Sequence, residues 1–129
     1  MTNVLILPGT EEEKKYETTL TVELVEYIRE FFGWSYKDIT TALGVSPRTL
    51  LRYRKGQSAP SSDARGKLEL LAQIADLIDV EFTTWESGLE WLDTKVKAFQ
   101  YQRPIDMLRR GELDPVLTAL TNMYTGAFL

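Results

Sequence analysis

The sequence predicts an all-α protein in which a helix-turn-helix bundle precedes a smaller helical C-terminal piece. Three observations carry this prediction. Apolar residues recur at helical spacing in several segments, capping residues open those segments and glycines close them, and no β-hairpin signal occurs. With 129 residues, 43% of them hydrophobic, the chain is long enough for one compact unit or two small helical ones sharing a core. No internal repeat or low-complexity tract interrupts it.

Residues 1–20 join an apolar patch, Val4 to Leu7, to a Pro-Gly break and a charged run without helical period, and they read as a flexible arm. A first helix is expected from Thr21 as N-cap to Gly33, with Leu24, Ile28 and Phe31 or Phe32 facing inward. Ser35-Tyr36-Lys37-Asp38 fits a capping box, in which hydroxyl and carboxylate each satisfy a free N–H at a new helix start. That short helix ends at Gly44, which takes the left-handed backbone needed to reverse the chain. Ser46 caps the third helix, Pro47 occupies its first turn, and Val45 and Leu50 stand at the two positions of a hydrophobic staple. Two short helices around a glycine-centred turn make a helix-turn-helix. Thr40, four residues before Gly44, stands where alanine is usual and is expected to open the crossing slightly.

A loop of Gly, Ser and Pro over 56–62 leads to a long amphipathic segment, Asp63 to Asp79. Leu68, Leu71, Ala75 and Ile78 form one stripe there and Leu70, Ile74 and Leu77 lie beside it, so this helix needs two partners. Thr83 with Glu86 reads as a second capping box before Trp85, Leu89 and Leu92, followed by an irregular stretch from Thr94 to Gln102. Pro104 opens a two-turn helix ending at Gly111. Asp114 and Pro115 read as the N-cap and first residue of the last helix, with Val116, Leu120 and Met123 on one face and Gly126 as its stop. The expected organisation is an arm (1–20), a helix-turn-helix domain (21–80) and a helical C-terminal domain (81–129).

Composition removes most chemistry. With no cysteine and no histidine, disulfides, thiolate metal sites and the commonest general base are absent, and no nucleophile–base pair can be named. The chain is read as not an enzyme, with no cofactor and no metal. No apolar run of about 18 residues and no secretion signal occur, so a cytoplasmic protein off the membrane is expected.

The formal net charge of −4 argues against coating nucleic acid by bulk attraction, but the charge is segregated. Residues 1–34 hold three basic and seven acidic side chains, residues 35–67 seven and two, and residues 68–129 five and ten. On a helical wheel the third helix turns Leu50, Tyr53 and the stem of Arg54 to one side and Arg48, Thr49, Arg52 and Lys55 to the other. Arg48 and Arg52 are placed to offer paired donors to guanine O6 and N7, and Thr49 to touch a thymine methyl. Lys55, Lys37 and the helix start at Ser35 and Tyr36 are candidates for phosphate, and Ser46 is a further DNA-binding candidate. The competing reading is a solubilising face balanced by the acidic flanks. A single module with few phosphate contacts binds weakly, so two copies on two half-sites, a homodimer or larger assembly, are expected. The Leu68 to Ile78 stripe and the Trp85/Trp91 region are the candidate interfaces, against ordinary core packing.

Over residues 20–129 the sequence resembles the Xre/MbcA/ParS-type antitoxins that pair with RES-domain toxins. The resemblance rests on SYKDITTALGVSPRTLLRYRKG, the long helix behind it, the Trp91-Leu92 pair, the run Arg103-Pro104-Ile105-Asp106-Met107-Leu108 and the closing Gly126-Ala127-Phe128. It implies an Xre-like helix-turn-helix that binds operator DNA at the protein's own promoter as an autorepressor. It also implies a small helical toxin-binding domain that covers the active site of a partner NAD-consuming RES toxin. Carried over, Arg103, Arg109, Arg110, Asn122, Tyr124, Gly126 and Phe128 would line that contact in a hetero-oligomer with the toxin. Closing the C-terminal core is the bland alternative for Tyr124 and Phe128. Two features depart from the family. The chain stops one residue after Phe128, so deep penetration of the toxin's cleft is not expected, and the arm Met1 to Leu20 matches no part of the pattern. The alternative function is a stand-alone helix-turn-helix regulator whose C-terminal domain dimerises or senses a small molecule; a pure adaptor that never meets DNA is a further reading. The neighbouring gene separates the antitoxin from the regulator, and a promoter gel shift tests the adaptor.

Overall fold

The computed structural model describes residues 8–126, so the Val4 to Leu7 patch and Phe128 lie outside the described residues. Within them the chain is all-α: α1 (Glu11–Phe32), α2 (Tyr36–Leu43), α3 (Pro47–Arg54), α4 (Ser62–Glu81), α5 (Trp85–Leu92), a 3-10 turn (Lys97–Phe99), α6 (Pro104–Arg109) and α7 (Asp114–Thr125).

The first helix begins at Glu11, not near Thr21, so residues 11–20 are not the loose arm the sequence suggested. Thr10 caps it by accepting the Glu13 N–H, and Glu11, Glu12 and Glu13 place negative charge at the positive end of the helix dipole. The inward stripe is Thr21, Val25, Ile28 and Phe32, with Leu24 and Phe31 only partly buried at its margin. Thr21, expected as a cap, is instead buried mid-helix, its hydroxyl donating to Glu17 O at 2.7 Å.

The helix-turn-helix forms as its capping residues require. Ser35 N–H donates to Asp38 Oδ2 at 3.0 Å and Asp38 N–H donates to Ser35 Oγ at 3.2 Å, closing the box at the start of α2. Gly44 ends α2 at φ 69°, where Val45 N–H donates to Thr40 O and Gly44 N–H reaches Thr40 O and Thr41 O, a Schellman closure. Thr40 is buried and its hydroxyl donates to Lys37 O at 2.6 Å. Ser46 then caps α3 and Pro47 sits in its first turn.

The long α4 lies between α1 and α7, the two partners its wide stripe called for, with Leu68, Leu71, Ile74, Ala75 and Ile78 buried. Two caps differ from expectation by one residue. α5 is capped by Thr84 with Ser87, not by Thr83 with Glu86, which leaves Trp85 half exposed and buries Leu92. In that register Gly88 meets α4 where a side chain would collide with Ile78. For α7, the capping position is Leu113, already in helical conformation and buried, so Asp114 is the first helical residue and Pro115 the second. The stretch before α6 is closed by one isolated bridge between Val96 and Gln102, with Gln100 and Tyr101 in the left-handed region. Buried residues from all seven helices join one core.

Candidate functional site

The α3 helix presents two opposite faces. Leu50 and Tyr53 are buried at 2% and 4% exposure, whereas Arg48, Arg52 and Lys55 are exposed and Thr49 is half-buried. Among the described residues neither Arg48, Arg52, Lys55 nor Lys37 takes part in an ion pair, while Arg29, Arg65, Lys67, Arg103, Arg109 and Arg110 all do. Four cations without an ion pair thus lie on the helix-turn-helix; among the described residues, exposed Lys15, Lys95 and Lys97 are likewise unpaired, but they lie elsewhere in the chain. Desolvating the four against phosphate or a guanine edge breaks no existing pair.

Arg54 and Tyr36 are spent inside the fold. The Arg54 guanidinium lies 3.5 Å above the Tyr36 ring centroid, and Arg29 approaches the same ring at 5.1 Å. The Tyr36 hydroxyl donates to Glu26 Oε1 at 2.7 Å, tying α2 to α1. Burial pushes the Glu26 carboxyl up, but hydrogen bonds from Tyr36 and Arg29 outweigh it and hold the group below the usual carboxylate range. At the start of α2 the Ser35 N–H is committed to Asp38. Of the phosphate candidates at this end, the backbone of Tyr36 and exposed Lys37 remain accessible. Ser46 and Thr49 are joined to each other, Ser46 Oγ donating to Thr49 Oγ1 at 2.9 Å.

The C-terminal candidates fall into two groups. Arg103 grips Asp106 through two bonds, Nε to Oδ2 at 2.8 Å and Nη2 to Oδ1 at 3.0 Å, and reaches Asp93 at 2.6 Å. The Asp106 carboxyl is held low first by the hydrogen bond from Arg103, against the upward push of burial. Arg109 lies 3.3 Å from Asp106 and 3.8 Å from Asp38, joining α6 to the capping box of α2. Gly111, at φ 82°, follows in a turn so close to α2 that a Cβ there would stand 3.0 Å from Ala42 O. Arg109 and the Gly111 turn hold the C-terminal piece against the helix-turn-helix, whereas Arg103 ties α6 to the end of α5. Sequence reasoning missed this link, because the i, i+3 spacing of Arg103, Asp106 and Arg109 signals only the local pairs and not the reach to Asp38.

The other group faces outward. Arg110 is exposed and bonded to Glu112 and Gln102, Tyr124 is 62% exposed, and Gly126 ends α7 at φ 74°. Asn122 lines a shallow groove with Ala98, Phe99, Pro115, Thr118 and Ala119. Arg103 and Arg109 border a different hollow, with Phe32, Leu89, Leu92 and Ile105. Of the two surfaces suggested for self-association, the Leu68 to Ile78 stripe is buried in the chain's own core, and Trp85 is exposed with Trp91 packed beside Phe82. No cluster of residues able to hold a metal ion occurs among the described residues, and none of their helices is long and apolar enough to cross a membrane.

No family model matches the chain. It is similar to the mycobacterial cidal antitoxin MbcA of Mycobacterium tuberculosis and Mycobacterium bovis, at 27% identity over 100 residues, 78% of this chain and 88% of the relative. A probable mycobacterial cidal antitoxin of M. tuberculosis is 27% identical over 109 residues, 83% of this chain and 90% of that protein. Among solved structures, one chain of the crystal structure of the M. tuberculosis MbcT-MbcA toxin-antitoxin complex superposes with a TM-score of 0.58 at 26% identity, covering 84% of this chain and 96% of that one.

Proposed function

The chain is homologous to the MbcA antitoxins, and from that premise we propose that it is the antitoxin of a toxin–antitoxin pair which also represses its own promoter. The partner in this reading is a RES-family, NAD-consuming toxin whose active site the C-terminal region covers. The chain itself performs no catalysis and works in the cytoplasm. Arg110, Asn122 and Tyr124 meet the toxin directly, with the segment beyond Gly126, including Phe128, extending the contact. Arg103 and Arg109 act by positioning α6.

On DNA, α3 enters the major groove. Arg48 and Arg52 address guanine edges, while Lys37, Lys55 and the start of α2 fix the register on phosphates. Two copies on two half-sites supply the affinity that one acidic chain with few phosphate contacts lacks. The observation that carries the DNA-binding half is the exposed face of Arg48, Arg52 and Lys55, free of ion pairs among the described residues, set against the sheltered face of Leu50 and Tyr53.

A gel shift on the promoter fragment at two salt concentrations tests that half. Arg52→Ala is expected to lose about 1–3 kcal/mol chiefly on the cognate site, whereas Lys55→Ala weakens all sequences alike and lowers the salt slope by about 1. Identical behaviour of the two variants defeats the assignment. For the toxin half, expression of the adjacent gene alone should arrest growth and co-expression with this chain should restore it. A neighbour that is harmless by itself removes the antitoxin reading.

A further inference from the structure

The outward side of α3 carries one side chain that phosphate binding does not explain. Leu51 is 41% exposed, the only leucine among the described residues that the fold leaves so open. It lies three residues after Arg48, and its carbonyl accepts the Lys55 N–H one turn on, so at helical spacing it borders the exposed cationic face on the side of Arg48 and Lys55. The inward positions of the helix are already filled by Leu50 and Tyr53. A solubilising face gains nothing from an apolar side chain held in water at its edge.

A face that reads DNA does gain from it. Within a major groove lined by polar base edges, the thymine C5-methyl is the apolar feature on offer. Thr49, the other apolar candidate, is half-buried, its hydroxyl is joined to Ser46, and it lies at the opposite edge of the face. We propose that Leu51 is a specificity-determining contact of this surface, packing on the methyl group of a thymine next to the bases addressed by Arg48 and Arg52. The proposal rests on the DNA-binding reading and adds to it a preference that arginine contacts alone do not supply.

The probe is the protein's own promoter fragment, narrowed by footprinting to a short duplex in which each thymine is replaced singly by deoxyuridine. Deoxyuridine pairs identically and lacks only the methyl. The wild-type protein should lose roughly three- to tenfold in affinity at one thymine of each half-site. Leu51→Ala should bind the unmodified duplex weaker by a similar factor and be indifferent to that replacement, and Leu51→Met should keep the preference. Leucine and alanine are both strong helix formers at an exposed site, so circular dichroism should show unchanged helicity. A duplex that is bound with no sensitive thymine, or a Leu51→Ala protein that keeps the same sensitivity, overturns the proposal while leaving the DNA-binding reading intact. No binding of the fragment by the wild-type protein overturns both.

Discussion

Gly88 is where α5 presses on α4, and replacing it with alanine sets two known effects against each other. In an unobstructed helix interior Gly→Ala gains about 0.5–1 kcal/mol. Here the new Cβ would stand 2.6 Å from Ile78 Cγ2, with Phe82 Cδ2 and Cβ at 3.7 and 3.8 Å. Carbon atoms rest about 3.5–4.0 Å apart, so the two helices must separate by about 1 Å or Ile78 must move. Ile78 is branched at Cβ and confined to one main rotamer in a helix, so it cannot swing aside. Overpacking of this kind costs about 1–3 kcal/mol, which leaves a net loss of about 0–2.5 kcal/mol. Urea unfolding of Gly88→Ala, Ile78→Ala and the double variant measures it. Ile78→Ala alone should cost about 2–5 kcal/mol by opening a cavity. In that background the methyl introduced by Gly88→Ala has room, and the same substitution should become neutral or stabilising by up to about 1 kcal/mol. A Gly88→Ala protein more stable than the wild type, or one that loses the same amount in both backgrounds, would refute the contact argument.

Two further predictions concern the ties between helices. Tyr36→Phe removes the donor to Glu26 and should lower stability by about 1–2 kcal/mol while leaving promoter affinity unchanged, since the ring still carries Arg54; a loss of DNA binding without a loss of stability would show that the hydroxyl points outward in use. Asp106 has its folded pKa lowered, first by the hydrogen bond from Arg103, so its contribution is present above the unfolded value of about 3.9 and lost as pH falls through the folded value. The gap in Tm between wild type and Asp106→Asn should therefore be widest near neutral pH and shrink below pH about 4, and a gap that stays constant from pH 7 to pH about 2.5 would contradict the pairing.

What could be read from the sequence was what local chemistry decides. Ser35 with Asp38, Gly44, Ser46 and Pro47 each satisfy backbone groups within a few residues, so the helix-turn-helix and its two faces were legible before any coordinates. The extension of α1 to Glu11 was not, because residues 11–20 lack an apolar period. Glutamates at the helix start stabilise that turn, and Arg65 reaches back from α4 to Glu17 at 3.0 Å, a pairing 48 residues apart in sequence. At α5 the cap expected at Thr83 with Glu86 is taken by Thr84 with Ser87, a one-residue shift that goes with Gly88 facing Ile78, a tertiary fact. The pairing of Arg103 with Asp93 and Asp106 was not legible either, since charge alone does not say which partner within the chain a guanidinium will take. Leu51 was visible on the same wheel as Arg48 and Lys55, and an exposed leucine among cations was the signal left unused.

The seating of α4 between the first and last helices has a bearing on how this molecule can be cut. Proteolysis in the 56–62 loop or after Asp93 would strip one neighbour from a rod whose Leu68, Leu71, Ile74 and Ile78 are buried, and the bared strip would invite clumping or further digestion. Neither terminal half is equipped to persist as a severed fragment, so a single nick should unfold the whole molecule.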